Sequence, residues 1–238
     1  MATIAEGLQA ARERIRRAAA ASGRADNAIG LVAVSKTFPA DAVRQAFAAG
    51  QRAFGESYVQ EALEKMRALA DLDIEWHFIG PIQSNKTAAI ARHFDWVHGI
   101  DREQVARRLS DARPPERGPL QACVQVNVSG EASKSGVAPE AAAQLAHRVA
   151  ALPGLRLRGL MAIPRPAEDP AQTRAQFRRL RELLETLRGE ALALDTLSMG
   201  MSDDLESAIA EGATLVRVGT AIFGPRGKVR APDARGTD

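Results

Sequence analysis

The sequence predicts a single (β/α)8 barrel of the TIM type with one extra N-terminal helix, and three observations carry that prediction. Short apolar runs of strand length alternate with amphipathic stretches of helix length over residues 29–218. Eight such runs can be picked out, and the 238 residues come close to the roughly 250 that one such barrel uses. A helix between successive strands also forces parallel pairing, because each crossover returns the chain to the same edge with the same polarity. A doubly wound open sheet would instead carry a glycine-rich fingerprint after its first strand, and Val34-Ser35-Lys36-Thr37-Phe38-Pro39 has none.

Taken in order, Thr3 can N-cap an Ala/Arg/Glu-rich helix running to Ala21, where Ser22-Gly23 stops it. The first strand is Ile29 to Ser35, and the Thr-Phe-Pro break releases a helix over Ala40 to Ala49. Arg52 to Gly55 with Tyr58 to Ala70, Glu75 to Ile79 with Ser84 to His93, and Trp96 to Gly99 with Arg102 to Ala112 follow as strand and helix pairs. The Pro/Arg-rich stretch Arg113 to Pro119 is a loop. Leu120 to Val128 with Pro139 to Leu152, Leu155 to Ala162 with Ala171 to Leu187, Thr196 to Ser198 with Ser202 to Glu211, and Leu215 to Val218 complete the eight. Residues 1–225 are expected to form the barrel and 226–238, poor in apolar side chains, a flexible tail.

Apolar residues make up 45% of the chain but aromatics only 4%, so the helices are expected to pack closely through alanine. The formal charge of +3, from 32 basic and 29 acidic residues, is spread along helices rather than gathered in a block, which argues against nucleic-acid binding. Cys123 stands alone in an apolar strand, so it cannot form an internal disulfide, and a reducing, cytoplasmic compartment is expected. No apolar run approaches the roughly 20 residues of a membrane span, and no His/Cys/Asp cluster has metal-ligand spacing. A barrel has no open sheet edge to pair, so a monomer is expected.

In this fold chemistry gathers where strands end. Lys36 closes the first strand, and an amine among apolar neighbours has its charged form disfavoured, leaving a nucleophile able to take a carbonyl as a Schiff base. A strand-capping salt bridge is the plain alternative for that residue. Strands seven and eight end in Ser198-Met199-Gly200 and Arg217-Val218-Gly219-Thr220, the place where such barrels most often hold phosphate. Ser202 is positioned to N-cap the next helix, Gly219 admits a close backbone approach, and Thr220 adds a hydroxyl. Each glycine could equally serve only as a turn. Arg217 lies two residues before Gly219 and hence on the same strand face, taken as inward, either in a salt bridge or facing a ligand. An amine across from a phosphate cradle is the shape of a site for pyridoxal 5′-phosphate.

These residues also carry a family resemblance. The segments Leu31-Val32-Ala33-Val34-Ser35-Lys36-Thr37, Phe54-Gly55-Glu56-Ser57-Tyr58-Val59-Gln60-Glu61, Gly159-Leu160-Met161-Ala162, Leu197-Ser198-Met199-Gly200-Met201-Ser202-Asp203-Asp204 and Val216-Arg217-Val218-Gly219-Thr220-Ala221-Ile222-Phe223-Gly224 fall in the order found in the pyridoxal phosphate homeostasis proteins. That family is related to the N-terminal barrel of alanine racemase. The resemblance implies that Lys36 is the Schiff-base lysine, that Ser198, Met199, Gly200, Gly219 and Thr220 lie at the phosphate, that Ser57 faces the cofactor, and that Arg217 lies near the ring nitrogen. The chain departs from the family's usual pattern at Ser57, where Asn is common, which shortens any contact from an amide to a hydroxyl. It also has Pro81-Ile82 where His-Leu is common.

The expected activity is cofactor holding and buffering, with delivery to apo pyridoxal-phosphate enzymes, and no catalytic residue of its own. A racemase needs acid/base groups on both faces of the substrate carbon. The resemblance places the second one in a further domain, and the one tyrosine here, Tyr58, is expected to pack. His77 and His98, in apolar strand segments, are expected to be hydrogen-bonded core histidines, and Lys134 a loop lysine near the barrel mouth. A racemase-like enzyme is the alternative, and a phosphate-ester enzyme using Lys36 is the third class.

Overall fold

In the computed structural model eight parallel strands close on themselves in chain order, β8 returning to pair with β1. Described are residues 3–131, 135–165 and 169–225; Lys134 and the proposed tail 226–238 lie outside them. The strands are β1 (Gly30–Val34), β2 (Ala53–Glu56), β3 (Glu75–Phe78), β4 (Trp96–Ile100), β5 (Leu120–Gln125), β6 (Leu155–Met161), β7 (Thr196–Ser198) and β8 (Leu215–Val218). The outer helices are α2 (Ala40–Ala48), α3 (Val59–Ala68), α4 (Thr87–His93), α5 (Glu103–Ala112), α6 (Pro139–Ala150), α7 (Pro170–Gly189) and α8 (Leu205–Ala210), preceded by α1 (Ile4–Ala21) and followed by α9 (Thr220–Phe223). The barrel read from the sequence is the barrel observed, with strand five ending at Gln125 rather than Val128.

Thr3 caps α1 through a complete capping box with Glu6, as its spacing predicts. This leading helix packs against α2, α8 and α9. Gly7 is the point of closest approach: a side chain there would come within 2.7 Å of the Ile222 carbonyl on α9. Arg14 of α1 reaches the Ser202 carbonyl at 3.0 Å and pairs with Glu206. Both partners of that pair are well exposed, so the contact aligns the Ser202 turn more than it stabilises the fold. The extra helix therefore braces the loops after β7 and β8.

The shell packs on small side chains, as the composition implies: Ala46, Ala62, Ala91, Ala106, Ala146 and Ala208 are fully buried. The barrel interior is unusual in being partly polar. His77, His98, Ser198 and Arg217 are buried there beside a small apolar cluster of Trp96, Cys123 and Met161. Both histidines are hydrogen-bonded core residues, as expected.

Two readings need correction. The helix expected from Ser202 begins at Leu205 with Asp204 as its N-cap, because the Asp204 carboxylate accepts the Met201 N–H at 2.5 Å and folds residues 201–204 into a turn. Tyr58, expected to pack, is 57% exposed, because it is the extended N-cap residue of α3 and its side chain leaves the core.

Cys123 is fully buried and burial pushes its thiol up to about 12, so the nucleophilic thiolate is absent near neutral pH. A chromogenic thiol reagent should leave the native protein unlabelled at mildly alkaline pH and label one thiol per chain after unfolding. Rapid native labelling would contradict this burial.

Candidate functional site

Closure of the barrel brings the end of β8 directly beside the end of β1. Val32 pairs with Arg217 and Ala33 with Val218, so Lys36 and the Gly219-Thr220 pair leave adjacent strands at the same rim. Gly219 sits so close to β1 that a side chain there would press within 3.2 Å of the Val34 carbonyl. The sequence reading set the lysine across the mouth from these residues; the structure sets them side by side.

At this rim lies a cavity of about 430 Å³, within the roughly 300–1,000 Å³ of ordinary small-molecule sites. Lys36, Ser57, Arg217, Gly219 and Thr220 line it, all of them expected from the sequence. Met201, Ser202 and Asp203 line it as well, and Val34, Phe38, Ile79 and Ile163 make its apolar walls. Phe38 is held by stacking on Phe223, with ring centroids 5.1 Å apart. The Met201 to Asp203 turn was not selected from the sequence as contact residues. Its signal was present in the Ser-Met-Gly-Met-Ser-Asp-Asp string, but Ser202 was read as a cap.

Ser198, Met199 and Gly200 are not among the lining residues. Met199 is a core side chain whose N–H donates to the Leu215 carbonyl. Gly200 supplies the turn, at φ +94°, and a side chain there would lie 2.5 Å from Ala208. The Ser198 hydroxyl bonds both Arg217 and His98, at 2.7 Å each. These three residues present the following turn to the cavity and brace Arg217 from behind.

The Arg217 guanidinium is only 3% exposed and lies in no salt bridge among the described residues. It donates to Ser198 Oγ and to the Ala162 carbonyl at 3.0 Å. Burial lowers its pKa to about 10, so it remains a cation at neutral pH. Ser57 reaches the rim because Gly80 has no side chain: a Cβ there would fall 2.7 Å from the Ser57 carbonyl.

Lys36 is half-buried in a turn just past β1. The next residue, Thr37, adopts φ +69°, a left-handed conformation that costs a β-branched residue energy and requires outside support. A buried network supplies it. Lys65 of α3 donates to the Ser35 carbonyl at 2.7 Å, to Glu56 at 2.7 Å and to Glu61 at 2.6 Å. Glu61 in turn accepts the Thr37 N–H at 2.6 Å, and Ser35 donates to Glu56 at 2.6 Å. The residues on either side of Lys36 are thereby fixed to β2 and α3. Burial raises the Glu56 carboxyl, and Lys65 is what opposes that shift.

The arrangement can hold a compact anion that also carries an electrophile: a half-buried amine, a buried guanidinium, three hydroxyls and two closely turned backbones meet in one partly apolar cavity. Among the described residues no group of His, Cys, Asp and Glu is placed to hold a metal ion.

The sequence model of the alanine racemase N-terminal domain family matches residues 7–227. The chain is 63% identical over 226 residues to the pyridoxal phosphate homeostasis protein of Pseudomonas aeruginosa, a match covering 95% of this chain and 97% of that one. It is 50% identical over 229 residues to the protein of the same name from Escherichia coli, covering 95% and 98%. Among solved structures it resembles PipY of Synechococcus elongatus with PLP bound, at a TM-score of 0.83 and 39% identity, covering 93% of this chain and all of that one.

Replacing Lys65 by Met leaves the buried Glu56 without its partner. Urea-induced unfolding should show a loss of about 3–5 kcal/mol, the usual penalty for a stranded buried charge. Adding Glu56→Gln should recover part of that loss. A single-variant loss below about 1 kcal/mol, the scale of an exposed pair, would contradict the role given to this network.

Proposed function

We propose, for a chain that belongs to the pyridoxal phosphate homeostasis proteins of the alanine racemase N-terminal domain family, that it holds pyridoxal 5′-phosphate on Lys36 and buffers it for apo-enzymes. The observation that carries this reading is the single cavity shared by Lys36, Arg217 and the Ser202, Gly219 and Thr220 turns. The residues present fit the cofactor: an amine for its aldehyde, hydroxyls and close backbone for its phosphate, and apolar walls for its ring. When bound, the group supplies an electrophilic aldehyde and a conjugated ring that can accept electrons.

In this assignment Lys36 takes the aldehyde as a Schiff base, its backbone held by the Lys65 network. Ser202 and Thr220 donate hydroxyls to the phosphate, and Gly219 lets the backbone approach it. Ser198, Met199 and Gly200 serve the phosphate end by shaping the turn that carries Ser202. Helix dipoles are not needed here, since α8 and α9 have only 6 and 4 residues. Ser57 bounds the cavity with a hydroxyl where an amide would reach further. Arg217 faces the ring nitrogen, and a permanent cation there disfavours a proton on that nitrogen, which weakens the ring as an electron sink.

That weakening, together with an exposed Tyr58 that does not line the cavity, supports holding over turnover. The same reading places the chain in the cytoplasm as a monomer that passes cofactor to other enzymes. A racemase or related amino-acid enzyme is the competing reading, supported by the likeness to the alanine racemase family.

Protein reconstituted with pyridoxal 5′-phosphate should show a protein-bound absorbance band that Lys36→Ala abolishes. Incubated with L-amino acids in D2O, the loaded protein should give no sustained exchange at the α-carbon and no D-isomer. Sustained α-deuteration would sink the non-catalytic reading, while a Lys36→Ala protein that keeps the band would sink the lysine assignment.

A further inference from the structure

Behind Arg217 a string of polar side chains crosses the barrel from the cavity to the opposite end. Arg217 Nη1 meets Ser198 Oγ at 2.7 Å, and Ser198 Oγ meets His98 Nδ1 at 2.7 Å. His98 Nε2 meets His77 Nδ1 at 2.9 Å, and His77 Nε2 meets Glu75 Oε1 at 2.7 Å. Four of the five residues are at most 3% exposed. Glu75 begins β3, at the strand ends away from the cavity, and its side chain is half exposed. Such a chain, buried in the core of a barrel, must be fully satisfied or it is costly.

The donors can be assigned in sequence from the Arg217 end. A guanidinium only donates, so Ser198 Oγ accepts from Arg217. The Ser198 hydroxyl hydrogen then points to His98 Nδ1, which makes Nδ1 an acceptor and places the His98 hydrogen on Nε2. That hydrogen goes to His77 Nδ1, so His77 carries its own hydrogen on Nε2 and gives it to Glu75. Taken this way, each hydrogen bond of the string runs in one direction, from Arg217 towards Glu75.

An added proton would reverse the string. His98 would then donate to Ser198, whose own hydrogen would be left in a fully buried site without an acceptor among the described residues, and a second positive charge would share the interior with Arg217. Burial, the largest cause, pushes His98 well below the ordinary imidazole range, and the nearby Arg217 charge acts in the same sense. Hydrogen bonding from His77 lowers Glu75, which keeps the terminal acceptor charged.

We propose that Ser198, His98 and His77 are positioning residues for Arg217, forming a one-way hydrogen-bond chain from its guanidinium through the barrel to the Glu75 carboxylate and holding the guanidinium at the cavity. The chain explains how a buried arginine with no ion-pair partner among the described residues keeps one orientation. Its effect on a bound ring rests on the function proposed above; its existence does not.

The test reads nitrogen-15 signals of the cofactor-free, histidine-labelled protein, whose four histidines are assigned with the exposed-site variants His93→Gln and His147→Gln. In the wild type both His77 and His98 should carry their hydrogen on Nε2, with Nδ1 accepting. In Ser198→Ala the His98 Nδ1 signal should shift as its hydrogen bond is lost, and the Arg217 Nη hydrogens should exchange faster with solvent. Glu75→Leu, changed at the exposed end, should release the His77 tautomer, and Glu75→Gln, which keeps an acceptor, should restore it. Cofactor affinity should fall about tenfold in Ser198→Ala, the size of one hydrogen bond to a charged group. A hydrogen on Nδ1 or an imidazolium at either ring in the wild type overturns the proposal. So does unchanged Arg217 exchange in both Ser198→Ala and Glu75→Leu. A protein that takes up no cofactor would remove the functional reading and leave the histidine test standing.

Discussion

The pairing of β8 with β1 is the constraint on which the rest of this molecule depends. A parallel sheet of eight strands has two edges until that last pair forms, and forming it sets residues nearly two hundred positions apart on one rim. Val32 against Arg217 fixes where Lys36 and Thr220 emerge, and Gly219 allows the two strand ends to touch. The leading helix secures the closure from outside, through α9 at Gly7 and through Arg14 at the Ser202 turn. Without that pair there would be a lysine and a set of turns but no shared cavity.

Two buried polar systems then aim the site's two nitrogen-bearing side chains, Lys36 and Arg217. On one side Lys65, Glu56 and Glu61 hold the backbone around Lys36, including the left-handed Thr37. On the other, Ser198 and the two histidines hold Arg217. Both place charge where apolar packing would be more stabilising, since burying an ion costs on the order of several kcal/mol that pairing only offsets. A barrel interior filled with Leu and Val would be more stable and would hold neither Lys36 nor Arg217 in place. The polar interior is thus a cost in stability accepted for geometry at the rim.

Much of the fold was legible because it is written in short-range pattern. Alternation of apolar runs and amphipathic stretches located all eight strands, and Thr3 with Glu6 announced the first helix. Lys36, Ser57, Arg217, Gly219 and Thr220 were legible as strand-end residues of a barrel. What escaped reading depends on contacts that no local pattern encodes. Ser198 looked like a phosphate donor, but its partner His98 lies 100 positions earlier in the chain. Ser202 looked like a helix cap until Asp204 claimed the Met201 N–H and moved the helix start. No local pattern marks Lys65, because its role exists only where α3 meets the end of β1.

The central claim is that one lysine among five, Lys36, carries the cofactor. Borohydride reduction of the protein loaded with pyridoxal 5′-phosphate, followed by peptide mass spectrometry, tests it most directly. The account predicts one phosphopyridoxyl group per chain, located on Lys36. Modification mainly at Lys65, Lys86 or another lysine, or no stable modification of a loaded protein, would contradict it.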